Sequence, residues 1–156
     1  MSLKVSENGG GSNIPILEEG SYAAVCYMLV DLGLQYNERY GNSSRKVIIG
    51  WEIADEYVEV DGEQKPRVFS ARYTASLNEK AILRRDLAAW RGKEFTEAEL
   101  SEFNLCNIIG APCLIQIIHK EGNNGKVYAN LASIMKLPKG MPAPKGTLEP
   151  LVYDLS

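Results

Sequence analysis

Two cysteines and the single histidine are the residues whose types could support nucleophilic or metal chemistry. Cys106 and Cys113 precede His119, and a Cys–His pair can generate a reactive thiolate. Such a nucleophile also needs an orienting group and an oxyanion site, and the surrounding sequence supplies neither. A structural zinc site needs about four ligands at short spacings, which Cys106-x6-Cys113-x5-His119 does not provide. We therefore predict no catalytic residue, no metal site and no cofactor, with buried thiols and a surface imidazole.

Acidic side chains and glycines give weaker chemical signals. Asp31, Glu52 and Asp55 lie on predicted strands, which leaves a carboxylate-metal nuclease as the enzymatic alternative, although such carboxylates are common and usually solvated. The run Gly9-Gly10-Gly11 precedes neither a Lys-Ser/Thr pair nor a helix, so it is not a phosphate-binding loop. We interpret the protein as non-enzymatic.

Composition limits the classes that remain. A chain of 156 residues, 45% apolar and 24% charged, is typical of one globular domain. Its net charge of −3 disfavours a protein that wraps duplex DNA, whereas single-strand binders can be acidic overall. Unpaired cysteines in apolar runs, no leader-like start and no apolar stretch of about 20 residues indicate a cytoplasmic protein without a membrane partner.

Apolar periodicity predicts five strands. Val47, Ile49, Trp51 and Ile53 alternate with polar or small residues, and Asp61-Gly62 is a strong hairpin signal. A polar loop, Gln35–Arg45, is expected to be mobile. The predicted strands are Tyr22–Asp31, Lys46–Ala54 continuing past a bulge to Val60, Arg67–Thr74, Cys113–Lys120 and Val127–Leu137.

The period changes to that of a helix between the third and fourth strands. The spacing of Ser76 and Glu79 predicts a capping box that opens the helix. Leu83, Leu87 and Trp90 form one apolar stripe, and Gly92 suits the helix end. A second Thr-x-x-Glu box, Thr96 with Glu99, opens a shorter helix. Trp51 and Trp90 share the phase of apolar neighbours and are predicted to lie in the core.

The order β-β-β-α-β-β predicts a mainly β protein, a five-stranded OB-like (oligonucleotide/oligosaccharide-binding) barrel with a helical insert between strands 3 and 4. A rolled sheet with a helix packed on one face is the alternative. We expect residues 1–13 to be a disordered arm, residues 14–138 the OB-like domain, and residues 139–156 a Pro/Gly-rich tail that does not pack.

Several segments resemble a family of small phage- and prophage-encoded proteins. They are LNEKAILRRDL (77–87), WRGKEFT (90–96), NIIGAPCL (107–114), YANLASIM (128–135) and LPKGM (137–141). The resemblance implies an OB-fold single-stranded DNA-binding protein of phage or prophage DNA replication or recombination, acting in the cytoplasm of a bacterial host. It implies replication or recombination proteins as further partners, and it carries over no catalytic residue.

Basic and aromatic residues cluster in the loops that would flank an OB groove. Residues 112–147 carry a net charge of +4, whereas residues 94–111 carry −4. Cations there would follow a phosphate backbone and nearby tyrosines would stack on bases, although a mixed, solvated surface is the plain alternative. The predicted nucleic-acid-binding residues are Arg39, Tyr40, Arg45, Lys46, Arg67, Arg72, Tyr73, Lys120, Lys126 and Tyr128.

The alternative function is an OB-like protein-interaction module of a phage replication or recombination assembly, without direct DNA contact. Both interpretations are compatible with a homo-oligomer. The final residues, EPLVYDLS, mix acidic and apolar types and suit an untethered end, a strand pairing with a neighbouring subunit, or a segment that recruits partners.

Overall fold

The fold consists mainly of β-strands, with short helices between the third and fourth. A computed structural model describes residues 16–38, 41–78 and 81–154. The strands are Gly20–Asn37 (β1), Asn42–Val60 (β2), Glu63–Thr74 (β3), Pro112–Glu121 (β4), Val127–Met135 (β5) and Leu151–Asp154 (β6). The helices are Ile82–Arg91 (α1) and Glu97–Glu102 (α2), followed by a 3-10 helix at Leu105–Ile108. None of the helices in these ranges is long and apolar enough to cross a membrane.

Five antiparallel strands form a curled half-barrel in the order β3-β2-β1-β4-β5. The central strand β1 pairs with β2 on one side, where Ala24 lies opposite Ile53, and with β4 on the other, where Ala24 lies opposite Cys113. Further along β1, the short strand β6 pairs in parallel with Met28–Asp31. In the described part of the chain β3 and β5 share no ladder, so the half-barrel is open between them.

The hairpins extend further than the sequence predicts. The expected mobile loop Gln35–Arg45 is largely strand, since the β1–β2 ladder continues to the pair Asn37 and Asn42. Arg39 and Tyr40, at its tip, lie outside the described residues. The predicted Asp61-Gly62 turn is confirmed, because both residues have positive φ, 53° and 82°, as a two-residue hairpin turn of this type requires. The predicted bulge in β2 is also confirmed, as a register shift between Glu52 and Tyr57.

The core lies on the concave face of the half-barrel. Alternate residues of β2, from Val47 to Ile53, are buried as the period-two pattern predicts. Trp51 is fully buried, with its ring centroid 5.9 Å from that of Trp90 and 6.5 Å from that of Phe69. The prediction that both tryptophans belong to the core is therefore confirmed, and each ring stabilises the fold chiefly by removing apolar surface from water.

Helix α1 begins later than the sequence predicts. Its N-cap is Ala81, which gives no side-chain cap, and the hydroxyl of Ser76 accepts instead from the backbone N–H of Asn78. The predicted box partner, Glu79, lies outside the described residues. The other end is as expected: Gly92 adopts a left-handed conformation (φ 81°), and its N–H donates to the carbonyl of Ala88.

The second capping box is confirmed at the start of α2. The backbone N–H of Glu99 donates to the hydroxyl of Thr96 over 3.2 Å, and Thr96 N–H donates to the Glu99 carboxylate over 2.9 Å. Two of the four unpaired N–H groups of this short helix are thereby satisfied.

Helix α1 packs over the opening between β3 and β5. On the β3 side, the hydroxyl of Tyr73 donates to Asp86 over 2.7 Å. On the β5 side, the N–H of Lys136 donates to the carbonyl of Ala89 over 3.2 Å. The Trp90 indole reaches past the helix to donate to the carbonyl of Pro112 over 2.9 Å. These bonds fix the helix between the two end strands, although the strands themselves do not pair.

The C-terminal segment differs from the expected unpacked tail. Besides the β6 ladder, the carboxylate of Glu52 accepts from the backbone N–H groups of Thr147 and Leu148 and from the Thr147 hydroxyl. Glu52 lies on β2 and is only 5% exposed, because this segment covers it. The expected N-terminal arm, residues 1–13, lies outside the described residues.

Candidate nucleic-acid interface

A cleft of about 1240 Å³ lies where the half-barrel is open. Its walls are β3 from Phe69 to Thr74, the first half of α1 with the residues before it, and the β4–β5 hairpin. The cleft exists because β3 and β5 diverge and the short helix α1 fills only part of the gap between them.

The charged residues of this cleft are predominantly basic. Among the described residues one acid, Asp86, lines it together with four cations, which gives these residues a charge of +3 in a chain whose net charge is −3. The cations are Lys46, Arg72, Arg85 and Lys120. A concave basic surface of this kind attracts anions from solution despite the overall negative charge.

Three of these cations occupy positions that strand geometry explains. Arg72 is exposed because it follows the phase opposite to the buried Tyr73. Lys46 lies opposite Thr74 in the β2–β3 ladder, and its ammonium donates to the Thr74 hydroxyl over 2.6 Å. Lys120 is exposed near the end of β4, opposite Tyr128 of β5. The ladders therefore hold the three cations at fixed points around the cleft.

Tyr73 lines the cleft but is not available for base stacking. It is 6% exposed, and its hydroxyl donates to Asp86. Burial raises the pKa of Tyr73, and the charge of Asp86 and the hydrogen bond to it act in the same direction. The predicted stacking role does not fit this position, because period-two alternation turns Tyr73 into the core together with Val47.

Arg85 is a cleft residue that the sequence did not single out as a site residue. Its Nε lies 3.1 Å from the carboxylate of Asp86, the same group that receives the Tyr73 hydroxyl. Arg85 is one of three arginines on α1, with Arg84 and Arg91. Which face of α1 meets the cleft depends on how the helix packs, and the apolar stripe alone does not give that.

Tyr128 lies beside the cleft, on the exposed side of the β4–β5 hairpin. Its side chain is 45% exposed, and its hydroxyl accepts from the amide of Asn124 over 2.8 Å. A Cβ at Gly122 would lie 2.7 Å from the ring, so glycine there permits the ring position. Lys126 is exposed on the same turn. Both predicted residues are therefore accessible next to Lys120.

The remaining predicted residues lie elsewhere. Arg45 is held by Asp31, with Nη2 2.9 Å from a carboxylate oxygen, and does not line the cleft. Arg67 lies near Tyr22, whose pKa is raised mainly by burial while the Arg67 charge acts in the opposite direction. Arg39 and Tyr40 fall outside the described residues, so the cleft contains Lys46, Arg72, Tyr73 and Lys120 of the ten predicted residues.

The three thiols and the single imidazole differ in how far they are buried. Cys26 and Cys113 are buried, whereas Cys106 is exposed. Burial raises the pKa of the Cys26 thiol to about 12 and also raises that of Cys113, so both are protonated at neutral pH. His119 is half-buried rather than at the surface, with Nε2 2.8 Å from the carbonyl of Leu17. Within the described ranges no cluster of three or more His, Cys, Asp or Glu side chains could hold a metal ion.

The chain matches no family model and no curated protein.

Proposed function

We propose that this protein binds single-stranded DNA without catalysing a reaction, in phage or prophage DNA replication or recombination. The observation that carries the proposal is the basic cleft, where the described lining residues include four cations, Lys46, Arg72, Arg85 and Lys120, and one acid, Asp86. Four cations around one opening are suited to successive phosphates, and their sign is opposite to that of the whole chain.

The strand pairing supports an OB-like barrel as the scaffold. β1 pairs with both β2 and β4, as the proposed barrel requires, and α1 lies against the opening between the end strands. In barrels of this type, single strands bind across the sheet and the loops that flank it. The proposed DNA path follows the β3 edge and the β4–β5 hairpin, on which Lys120, Lys126 and Tyr128 are exposed.

The size of the charge cluster sets the expected salt dependence. Each phosphate contact in a single strand contributes about −0.7 to the slope of log K against log salt. Three to four contacts therefore predict a slope of roughly −2 to −3, with little dependence on base sequence.

Fluorescence anisotropy with labelled oligo(dT) over a salt series tests the proposal. The double variant Arg72→Gln/Lys120→Gln removes two cleft cations, so it should weaken binding and flatten the slope by about 1.4. The matched control is Lys139→Gln/Lys145→Gln, which removes the same charge from two exposed lysines that do not line the cleft. The control should retain the wild-type slope.

A second pair of variants tests stacking. Tyr128→Ala should cost about 1–3 kcal/mol of binding at unchanged slope if the ring stacks on a base. Tyr57→Ala removes a similarly exposed tyrosine, 58% exposed, from the β2–β3 hairpin and should have no effect. If wild-type protein fails to bind oligo(dT) at low salt and micromolar concentration, the proposal is wrong. The alternative function, a protein-interaction module, is then favoured.

A further inference from the structure

A second cavity, mostly apolar, lies beside the C-terminal half of α1. It measures about 380 Å³, within the range of sites that take one or two apolar side chains or a small ligand. Leu87, Trp90 and Ile108 are among the buried residues that line it, and Phe103 and Leu137 contribute further apolar surface. Two cations, Arg91 and Lys136, also line it.

Arg91 is held by two contacts, and one N–H donor of its guanidinium group lacks an acceptor among the described residues. Its Nη2 pairs with Glu99 over 2.5 Å, and its guanidinium lies 4.1 Å from the centroid of the Phe95 ring. Its Nη1 is buried and meets no hydrogen-bond acceptor within the described part of the chain. Because a buried donor without an acceptor is costly, an oxygen from outside would be stabilised there. Lys136, whose backbone is tied to α1 through Ala89, adds a second positive charge.

The chain itself presents a segment of complementary chemistry. β6 is held on β1 by its backbone, whereas the side chains of Leu151, Val152 and Tyr153 are 47%, 52% and 54% exposed. Glu149, also exposed, precedes them by two residues. Among the described residues, three consecutive apolar side chains next to a carboxylate are thus left about half exposed.

We propose that the segment 149–153 of one copy docks on the Trp90 cavity of a second copy. Apolar side chains of β6 would occupy the space beside Leu87 and Trp90, and the carboxylate of Glu149 would lie against Arg91 and Lys136. The donor segment and the cavity are different surfaces, so the contact is head-to-tail and joins copies into rings or open chains. The contact area is small, so assembly is weak and depends on protein concentration. The inference does not depend on DNA binding.

The test uses a fluorescein-labelled peptide of residues 145–154, KGTLEPLVYD, titrated with the full chain in an anisotropy assay. Asn107→Phe places a ring at the cavity mouth; because Asn107 is exposed, this change should not disturb folding. Asn123→Phe, at an exposed turn position outside the cavity lining, is the matched control. Lys136→Glu is an independent second variant that reverses a charge without filling the cavity.

We expect the peptide to bind wild-type protein and the Asn123→Phe control equally, and to bind both cavity variants at least about tenfold more weakly. A peptide carrying Glu149→Lys should lose affinity similarly. Sedimentation velocity of the full chain should show concentration-dependent association that Asn107→Phe abolishes. Absent peptide binding, or binding that ignores both cavity variants, would overturn the docking site. A full chain that stays monomeric at all concentrations would overturn self-association.

Discussion

Removing the Glu52 carboxylate should release the C-terminal segment from the sheet. The carboxylate is 5% exposed, and all four hydrogen bonds described for it come from Thr147 and Leu148. Oε1 accepts from the N–H groups of Thr147 and Leu148, both over 2.9 Å. Oε2 accepts from the Thr147 hydroxyl over 2.6 Å and from the Thr147 N–H over 3.1 Å. One side chain of β2 thus fixes the start of the segment at Thr147 and Leu148, ahead of the β6 ladder.

The expected magnitudes follow from which bonds survive each substitution. In Glu52→Gln the amide oxygen can keep both backbone N–H groups, and the Thr147 hydroxyl can turn to accept from the new NH₂ group. That variant loses the negative charge and one long bond, a cost of about 1–2 kcal/mol. Glu52→Ala loses all four bonds, and hydrogen bonds to a charged group contribute about 1.5–3 kcal/mol each. Since the β6 side chains are half exposed, the segment should detach in Glu52→Ala while the core remains folded.

Hydrogen exchange monitored by mass spectrometry measures this release directly. In Glu52→Ala, amides of residues 147–154 should exchange much faster, because the β1–β6 ladder opens. Within Met28–Asp31 the amides that face β6 should do the same, whereas those that pair with β2 should stay protected. Amides of Cys113–Ile117, which pair with the other end of β1, should stay protected. Glu59→Ala is the matched control, an exposed glutamate on the same strand. Unchanged exchange across 147–154 in Glu52→Ala would refute the conclusion that this carboxylate holds the segment.

Two further predictions concern buried polar groups. At about pH 8 only Cys106 of the native protein should react rapidly with a disulfide reagent, because burial keeps Cys26 and Cys113 protonated and inaccessible. All three thiols should react after unfolding in urea. Rapid reaction of a second thiol in the native protein would contradict the burial of Cys26 and Cys113. Tyr73→Phe should destabilise the fold by about 1–3 kcal/mol in denaturant titrations, because Asp86 is 8% exposed and loses a hydrogen-bond donor; an unchanged unfolding midpoint would contradict this.

Features set by neighbouring residues in the sequence were predictable. The alternation around Trp51, the Asp61-Gly62 turn, the Thr96 capping box and the glycine that ends α1 all depend on contacts within a few residues. Their patterns therefore carry the structure directly. The prediction that Ser76 caps α1 was wrong for a related reason. The Ser76 hydroxyl accepts a hydrogen bond from the nearby backbone N–H of Asn78, and this local bond competes with helix capping.

Features set by distant residues could not be predicted in the same way. Lys46, Arg72 and Lys120 meet in one cleft because β3 and β5 diverge, and no local pattern encodes that divergence. The same holds for Arg85, whose exposure to the cleft depends on the rotation of α1. The relative position of Lys120 and Tyr128 was easier to predict, because both residues flank a short hairpin whose turn fixes the strand register.

The outward phase of β2 is covered in the middle of the sheet. Ile48, Gly50 and Glu52 offer neither aromatic rings nor cations, so this phase is poorly suited to binding DNA. The structure gives this face another use: a Cβ at Gly50 would lie 2.8 Å from the methyl group of Met28, and the Glu52 carboxylate is covered by Thr147. Under the proposed function, single-stranded DNA therefore cannot lie across the middle of this face unless it displaces the C-terminal segment. The accessible cations lie instead along the β3 edge and the β4–β5 hairpin, so detaching the segment through Glu52→Ala should leave oligo(dT) binding and its salt slope unchanged. An altered slope in that variant would mean that the DNA path crosses the β2 face, and that the C-terminal segment competes with DNA for it.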